Sequence, residues 1–201
     1  MKGRNAQAPA TNSNRSERGS FIMAKNNAWT TSLEKAKRAE EVTRLVYEKM
    51  GWKTKDVRNE PNYQEEDIDF VFFCDIPGHE DEFTVESKSD DTYQYGNFAF
   101  ENIKNTDKGT LGWALTTTAQ YITIYYPTAD VMYILDGPKT VEWFRQNQHL
   151  FPEKKNSTAR REGGVLYKSK FRIVNRERFE RESGAVLDVF FPSKFLQQKA
   201  S

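Results

Sequence analysis

Asp67-Ile68-Asp69-Phe70-Val71-Phe72-Phe73 and, beyond a Pro77-Gly78 turn, Phe83-Thr84-Val85-Glu86-Ser87-Lys88 form the stretch on which the reading of this chain turns. Both halves are runs of β-branched and aromatic residues bounded by turn formers, so Asp69 to Cys74 and Glu82 to Lys88 are expected as neighbouring antiparallel strands. Side chains alternate across a strand. Glu86 and Lys88 therefore project to one face, about 6.6 to 6.8 Å apart along the backbone, while Phe83 and Val85 point the other way into a core. Glu86 interrupts an apolar strand and Asp69 opens one, positions where a lone carboxylate carries a desolvation cost unless paired or metal-bound. An Asp69 or Glu86 ion pair with Lys88 at a strand end is the plainer alternative. Asp67 shares a face with Asp69 by the same period of two, so either could supply the carboxylate. Asp69 is favoured because it directly precedes the hydrophobic run, with Asp67 in a supporting position.

A carboxylate from each of two adjacent strands offers oxygen ligands suited to a hard divalent cation, and an ammonium beside them can orient water or offset charge on a phosphate. That is a kit for phosphodiester hydrolysis. The constellation resembles the PD-(D/E)xK superfamily of nucleases, which includes restriction endonucleases, Holliday-junction resolvases and phage-type endonucleases. The matching features are Asp69, the hairpin, the hydrophobic run into Glu86-Ser87-Lys88 and an upstream helix that carries a glutamate. The leading Pro-Asp of the motif is missing: Pro61 lies before Asp67 with Asn-Tyr-Gln-Glu-Glu between. The resemblance spans residues 32 to 136, on short and degenerate motifs.

It implies a mixed central β-sheet flanked by helices, an α/β fold with a restriction-endonuclease-like core. It also implies metal-dependent hydrolysis, of DNA rather than RNA, with Asp69 and Glu86 as ligands of Mg²⁺ or Mn²⁺. Lys88 would steer or help deprotonate the attacking water, and Glu40 of the first helix would complete the catalytic set. Tyr95-Gly96-Asn97-Phe98-Ala99-Phe100-Glu101 resembles a Gly-Asn-x-x-x-Glu segment of some members, which implies Asn97 or Glu101 in support of the site. A homodimer is implied by the resemblance alone. The alternative is a catalytically inactive nuclease-fold module that binds nucleic acid or a protein partner.

With 201 residues the chain has room for one domain with a full core and little more. We expect a disordered tail over residues 1–24, one nuclease-like domain over 25–196 and a short tail over 197–201. The first 22 residues hold almost no large apolar side chains, so they cannot offset their ordering entropy, and no apolar run makes them a signal peptide. Met23 is an alternative start. Charged residues make up 29% and hydrophobic ones 37%, with a mean hydropathy of −0.83, and no apolar run approaches membrane-spanning length. The single cysteine, Cys74, excludes an intrachain disulfide and fits a reducing cytoplasm.

Net charge is only +1, yet its distribution is polar along the chain. Asp56 to Asp91 holds thirteen acidic residues against Arg58 and Lys88, a net of −11, whereas Lys154 to Arg181 carries ten basic residues against three glutamates, a net of +7. An acidic centre with a basic strip suits a nucleic-acid partner, since phosphate neutralisation dominates such affinity, although charge runs are commonly solvated faces. Lys168, Lys170, Arg172, Arg176 and Arg178 are the expected backbone contacts. His79 and His149 with Cys74 lack the spacing of a zinc site, and no phosphate-binding glycine loop is present.

The rest of the chain reads as follows. A capping box at Thr31-Ser32-Leu33-Glu34 opens a helix whose stripe is Leu33, Ala36, Ala39, Val42, Leu45, Val46 and Met50, ending at Gly51. Strands are expected at Trp52–Val57, Tyr121–Tyr126, Val131–Leu135, Val165–Val174 and Ala185–Phe191, with helices at Thr140–His149 and from the Asn175 cap through Arg181. Arg58–Glu66, Tyr93–Thr110 and Pro152–Gly164 read as loops, the second with a possible short helix.

Overall fold

The computed structural model describes residues 34, 36–76, 81–158 and 167–198. The expectations for the N-terminal tail, the Thr31 cap, the Pro77-Gly78 turn and the basic loop at 159–166 lie outside these residues. In chain order the elements are α1 (36–49), β1 (Lys53–Asp56), α2 (Pro61–Glu65), β2 (Phe70–Phe73), β3 (Glu82–Ser89), β4 (Asn97–Asn105), β5 (Thr110–Leu111) and α3 (Trp113–Thr116). There follow β6 (Tyr121–Tyr126), β7 (Val131–Asp136), α4 (Gly137–Asn147), β8 (Glu153–Thr158), β9 (Tyr167–Asn175), α5 (Arg176–Ser183), β10 (Val186–Phe190) and α6 (Pro192–Gln197).

Six strands form a mixed sheet in the order β1-β2-β3-β6-β7-β10. Among the described residues only β3 and β6 run parallel, joined by a crossover long enough to contain β4, β5 and α3. The β2–β3 hairpin is antiparallel with Phe70 opposite Val85 and Phe72 opposite Phe83, in keeping with the sequence pattern. The α/β class with a mixed, helix-flanked sheet therefore stands.

Helix α1 covers one face of this sheet. Tyr47 packs on Phe72 and Phe83, ring centroids 4.4 and 5.5 Å away, and Thr43 shares a hydrogen bond of 3.0 Å with Ser87. Ala39 and Val46 meet Tyr125 and Met132 lower down the same face. Leu45 and Met50, expected in the stripe, are exposed. Gly51 ends the helix with φ 98, a left-handed conformation that costs glycine nothing sterically.

On the opposite face lies the main core. Ile122, Ile124, Tyr126, Tyr133 and Leu135 from β6 and β7 join Phe98 and Phe100 from β4, Trp143 and Phe144 from α4, and Phe179 from α5. Phe179 meets Phe98, Phe100 and Trp143 edge-on, the arrangement favoured by ring quadrupoles. Asp136 caps α4, accepting from the Lys139 N–H at 3.0 Å, and Asn175 caps α5 by accepting from Arg178 N–H at 2.8 Å.

Three stretches read as loops are regular structure instead. Pro61–Glu65 is a short helix started by a proline at its first position. Asn97–Asn105 is a nine-residue strand, with Phe98, Phe100 and Asn102 buried and the residues between them half-buried. Glu153–Thr158 is also a strand, so that β5-β4-β9-β8 make a second, wholly antiparallel sheet. The C-terminal helix α6 was not expected, and its last residue, Gln197, belongs to the stretch assigned to a tail. No helix among the described residues is long and apolar enough to cross a membrane.

Candidate active site

Extending the β2–β3 register by one residue sets Asp69 across from Glu86. The Asp69 N–H donates to the Val85 carbonyl at 3.0 Å, and its Oδ2 accepts the Ser87 N–H at 2.8 Å, so the side chain is fixed where the ladder ends. Its other oxygen, Oδ1, accepts no hydrogen bond among the described residues. Glu86 and Lys88 lie on the face that also carries their partners Ile122 and Ile124, away from α1. Glu86 is 2% exposed and its carboxylate is closed on the Lys88 ammonium. Together with Arg58, Gln64, Asp67, Ile68 and Lys104, these three groups line a cleft of about 370 Å³.

The charges in the cleft are strongly coupled. Burial pushes the Glu86 carboxyl well above the usual range; Lys88 opposes this and Asp69 adds to it. Burial would lower Lys88, but the negative charges of Glu86, Asp69 and Asp67 outweigh it and hold the ammonium above the ordinary lysine value.

Asp67 resolves differently from its neighbour. Its backbone is left-handed, φ 49, which breaks the alternation and turns the carboxylate to Lys104 at 2.8 Å and the Thr116 hydroxyl at 2.6 Å. It supports the wall of the cleft. Glu101, on β4 of the second sheet, is near Lys88 and Lys104 without lining the cleft: burial raises its carboxyl, and the two lysines oppose this only in part. A β-bulge makes this convergence possible. Glu101 pairs with Phe171 but Ile103 with Lys170, so the alternation reverses at Asn102 and brings Glu101 and Lys104 onto one face.

Other expected residues lie elsewhere. Glu40 does not line the cleft, because α1 packs on the opposite face of the sheet; its carboxylate binds Arg58, a residue of the cleft lining whose guanidinium is held by Glu40 and Asp56, 5.3 Å from the Phe70 ring. Asn97 closes a turn by donating to the Tyr95 carbonyl at 2.9 Å, four residues before Glu101, or about 13 Å along the strand. Lys170 and Arg172 are held by Glu153 at 2.9 and 3.2 Å, and alternation puts them with Lys168 on the face of β9 opposite Phe171 and Ile173. Arg176 is packed inward, 4.1 Å from the Tyr93 ring centroid, with Tyr126 and Tyr133 also in reach. Arg178 pairs with Glu182 at 2.9 Å. The basic strip is thus split, and only Lys168 among its five residues is both exposed and without an ion pair among the described residues.

Sequence reasoning missed Arg58, Gln64, Lys104 and Thr116. Arg58 and Gln64 sit around a helix read as a loop, and Lys104 needs the bulge, which leaves no mark in composition.

Among the described residues no three His, Cys, Asp or Glu side chains are grouped so as to enclose a metal by themselves. Magnesium does not require that: it commonly takes one or two carboxylates and completes its shell with water and substrate phosphate. Asp69 and Glu86 fit such a donor set, with Oδ1 of Asp69 available and Glu86 too buried to be at ease as an isolated anion. No family model, curated protein or solved structure matches the chain.

Proposed function

We propose that the chain is a divalent-metal-dependent nuclease of the PD-(D/E)xK type, with a restriction-endonuclease-like core, that hydrolyses phosphodiester bonds in DNA. The observation that carries this reading is the convergence of Asp69, Glu86 and Lys88 in one cleft from two adjacent strands. Asp69 and Glu86 hold Mg²⁺ or Mn²⁺. Such a cation lowers the pKa of coordinated water and offsets charge on the phosphate. Lys88, paired with Glu86 in the same cleft, would orient the attacking water. Lys104 stands where it can hold the phosphate, kept in place by Asp67, which in turn accepts from the Thr116 hydroxyl.

The second reading is a nuclease-fold module that binds nucleic acid without turnover. It is favoured by one observation, the closed Glu86–Lys88 pair. Digestion of supercoiled plasmid and of labelled DNA and RNA oligonucleotides with Mg²⁺ or Mn²⁺ separates the two. The nuclease reading expects cleavage that EDTA abolishes and that falls about a hundredfold or more in Glu86→Gln and Lys88→Ala. Intact substrates of every kind under both metals would leave only the binding module.

A further inference from the structure

A second depression, of about 310 Å³, opens beside the cleft, and Lys88 lines both. Its floor is the face of the second sheet that carries Ala99, Phe171 and Ile173; its wall is Trp113, and its rim carries Lys154 and Lys155. We infer that this groove binds an unpaired stretch of nucleic-acid strand next to the scissile phosphate, with bases on Phe171 and Ile173 and phosphates against Lys154 and Lys155. The inference rests on the nuclease reading for its direction, not for its binding chemistry.

Three observations carry it. Phe171 and Ile173 are half-buried yet belong to none of the core clusters, and Phe171 makes no ring contact with another aromatic among the described residues. A partly open aromatic ring is a platform for any base, since every base has a π-face. Second, Lys154, which shares the Phe171 face by register, and Lys155 at the rim form no ion pair among the described residues, in contrast to Lys170 and Arg172, which Glu153 neutralises. Asp90, the one acid among the groove's lining residues, accepts through Oδ1 from the Thr92 N–H at 2.8 Å and hydroxyl at 2.6 Å, while its Oδ2 is buried without a hydrogen-bond partner among the described residues. Third, Lys155 and Asn156 also line a further hollow around the β8 edge, with Lys170 and exposed Lys168, so cationic residues continue past the groove's rim. In a duplex the bases are stacked on one another and offer no apolar face to such a floor. An unpaired strand does.

Fluorescence anisotropy with labelled oligo(dT) and with a duplex of equal length, both in EDTA, reads binding without cleavage. Wild type should bind the single strand more tightly than the duplex, with affinity that falls as salt is added. Lys154→Ala/Lys155→Ala should weaken it about tenfold and flatten the salt dependence; Phe171→Leu, which keeps an apolar floor, should weaken single-strand binding about tenfold and leave duplex binding unchanged. Equal affinity for both forms, no oligonucleotide binding, or indifference to all three substitutions would overturn the inference. Binding of the single strand by a protein that cuts nothing would end the nuclease reading and leave the groove. Cleavage of duplex with no response to Phe171→Leu would do the reverse.

Discussion

Asp67 and Asp69 lie two positions apart with the same chemistry, and backbone conformation sorts them. The left-handed φ of 49 at residue 67 suits Asp or Asn and penalises alanine, while Asp69 stays extended enough to reach Ser87 N–H. Asp67→Ala removes a largely buried acceptor from Lys104 and Thr116 and should cost about 1 to 3 kcal/mol in urea denaturation, with Asp67→Asn recovering most of it. Asp69→Asn should leave stability within about 1 kcal/mol, because its amide oxygen still accepts from Ser87, and should abolish cleavage. A stable Asp67→Ala, or an active Asp69→Asn, would exchange the roles given to the two residues.

At the scale of elements, whatever depends on neighbours in sequence was legible. The β2–β3 hairpin, the β6–β7 pair, helix α4 and the Asn175 cap all follow from local period, turn residues and capping chemistry. So did the convergence of Asp69 with Glu86 and Lys88, which needs only one hairpin. The second sheet was not legible, because β4 finds its partner β9 some seventy residues later and its Gly96-Asn97 opening reads as a turn. The expected basic face of β9 is real as alternation, but only pairing shows which face meets the cleft. Contact between α3 and β4 is nearer in sequence but equally unmarked in composition: a Cβ at Gly112 would collide with the carbonyl and side chain of Glu101. Backbone cannot yield as a side-chain tip can. Gly112→Ala should therefore destabilise by about 1 to 3 kcal/mol and disturb Glu101, and a variant as stable as wild type would show that the two elements pack less closely than described.

Across the whole molecule, the acidic and basic segments do not form two opposed faces. Of the acidic stretch, Asp67, Asp69 and Glu86 line the cleft, with Lys88 and Lys104 among their carboxylates. The basic stretch divides between internal pairs, such as those to Glu153, and the lysines that continue the groove from Lys88. The cleft and the groove share Lys88, which sets the proposed metal site and the proposed strand-binding surface end to end. The claim under all of this is that Asp69 and Glu86 share one divalent ion. Crystals soaked in Mn²⁺ test it through the anomalous difference map. The account predicts a peak between β2 and β3, about 2.1 Å from an oxygen of each carboxylate, with the Lys88 ammonium moved off Glu86. A map with no peak there, and Glu86 still closed on Lys88, would contradict it.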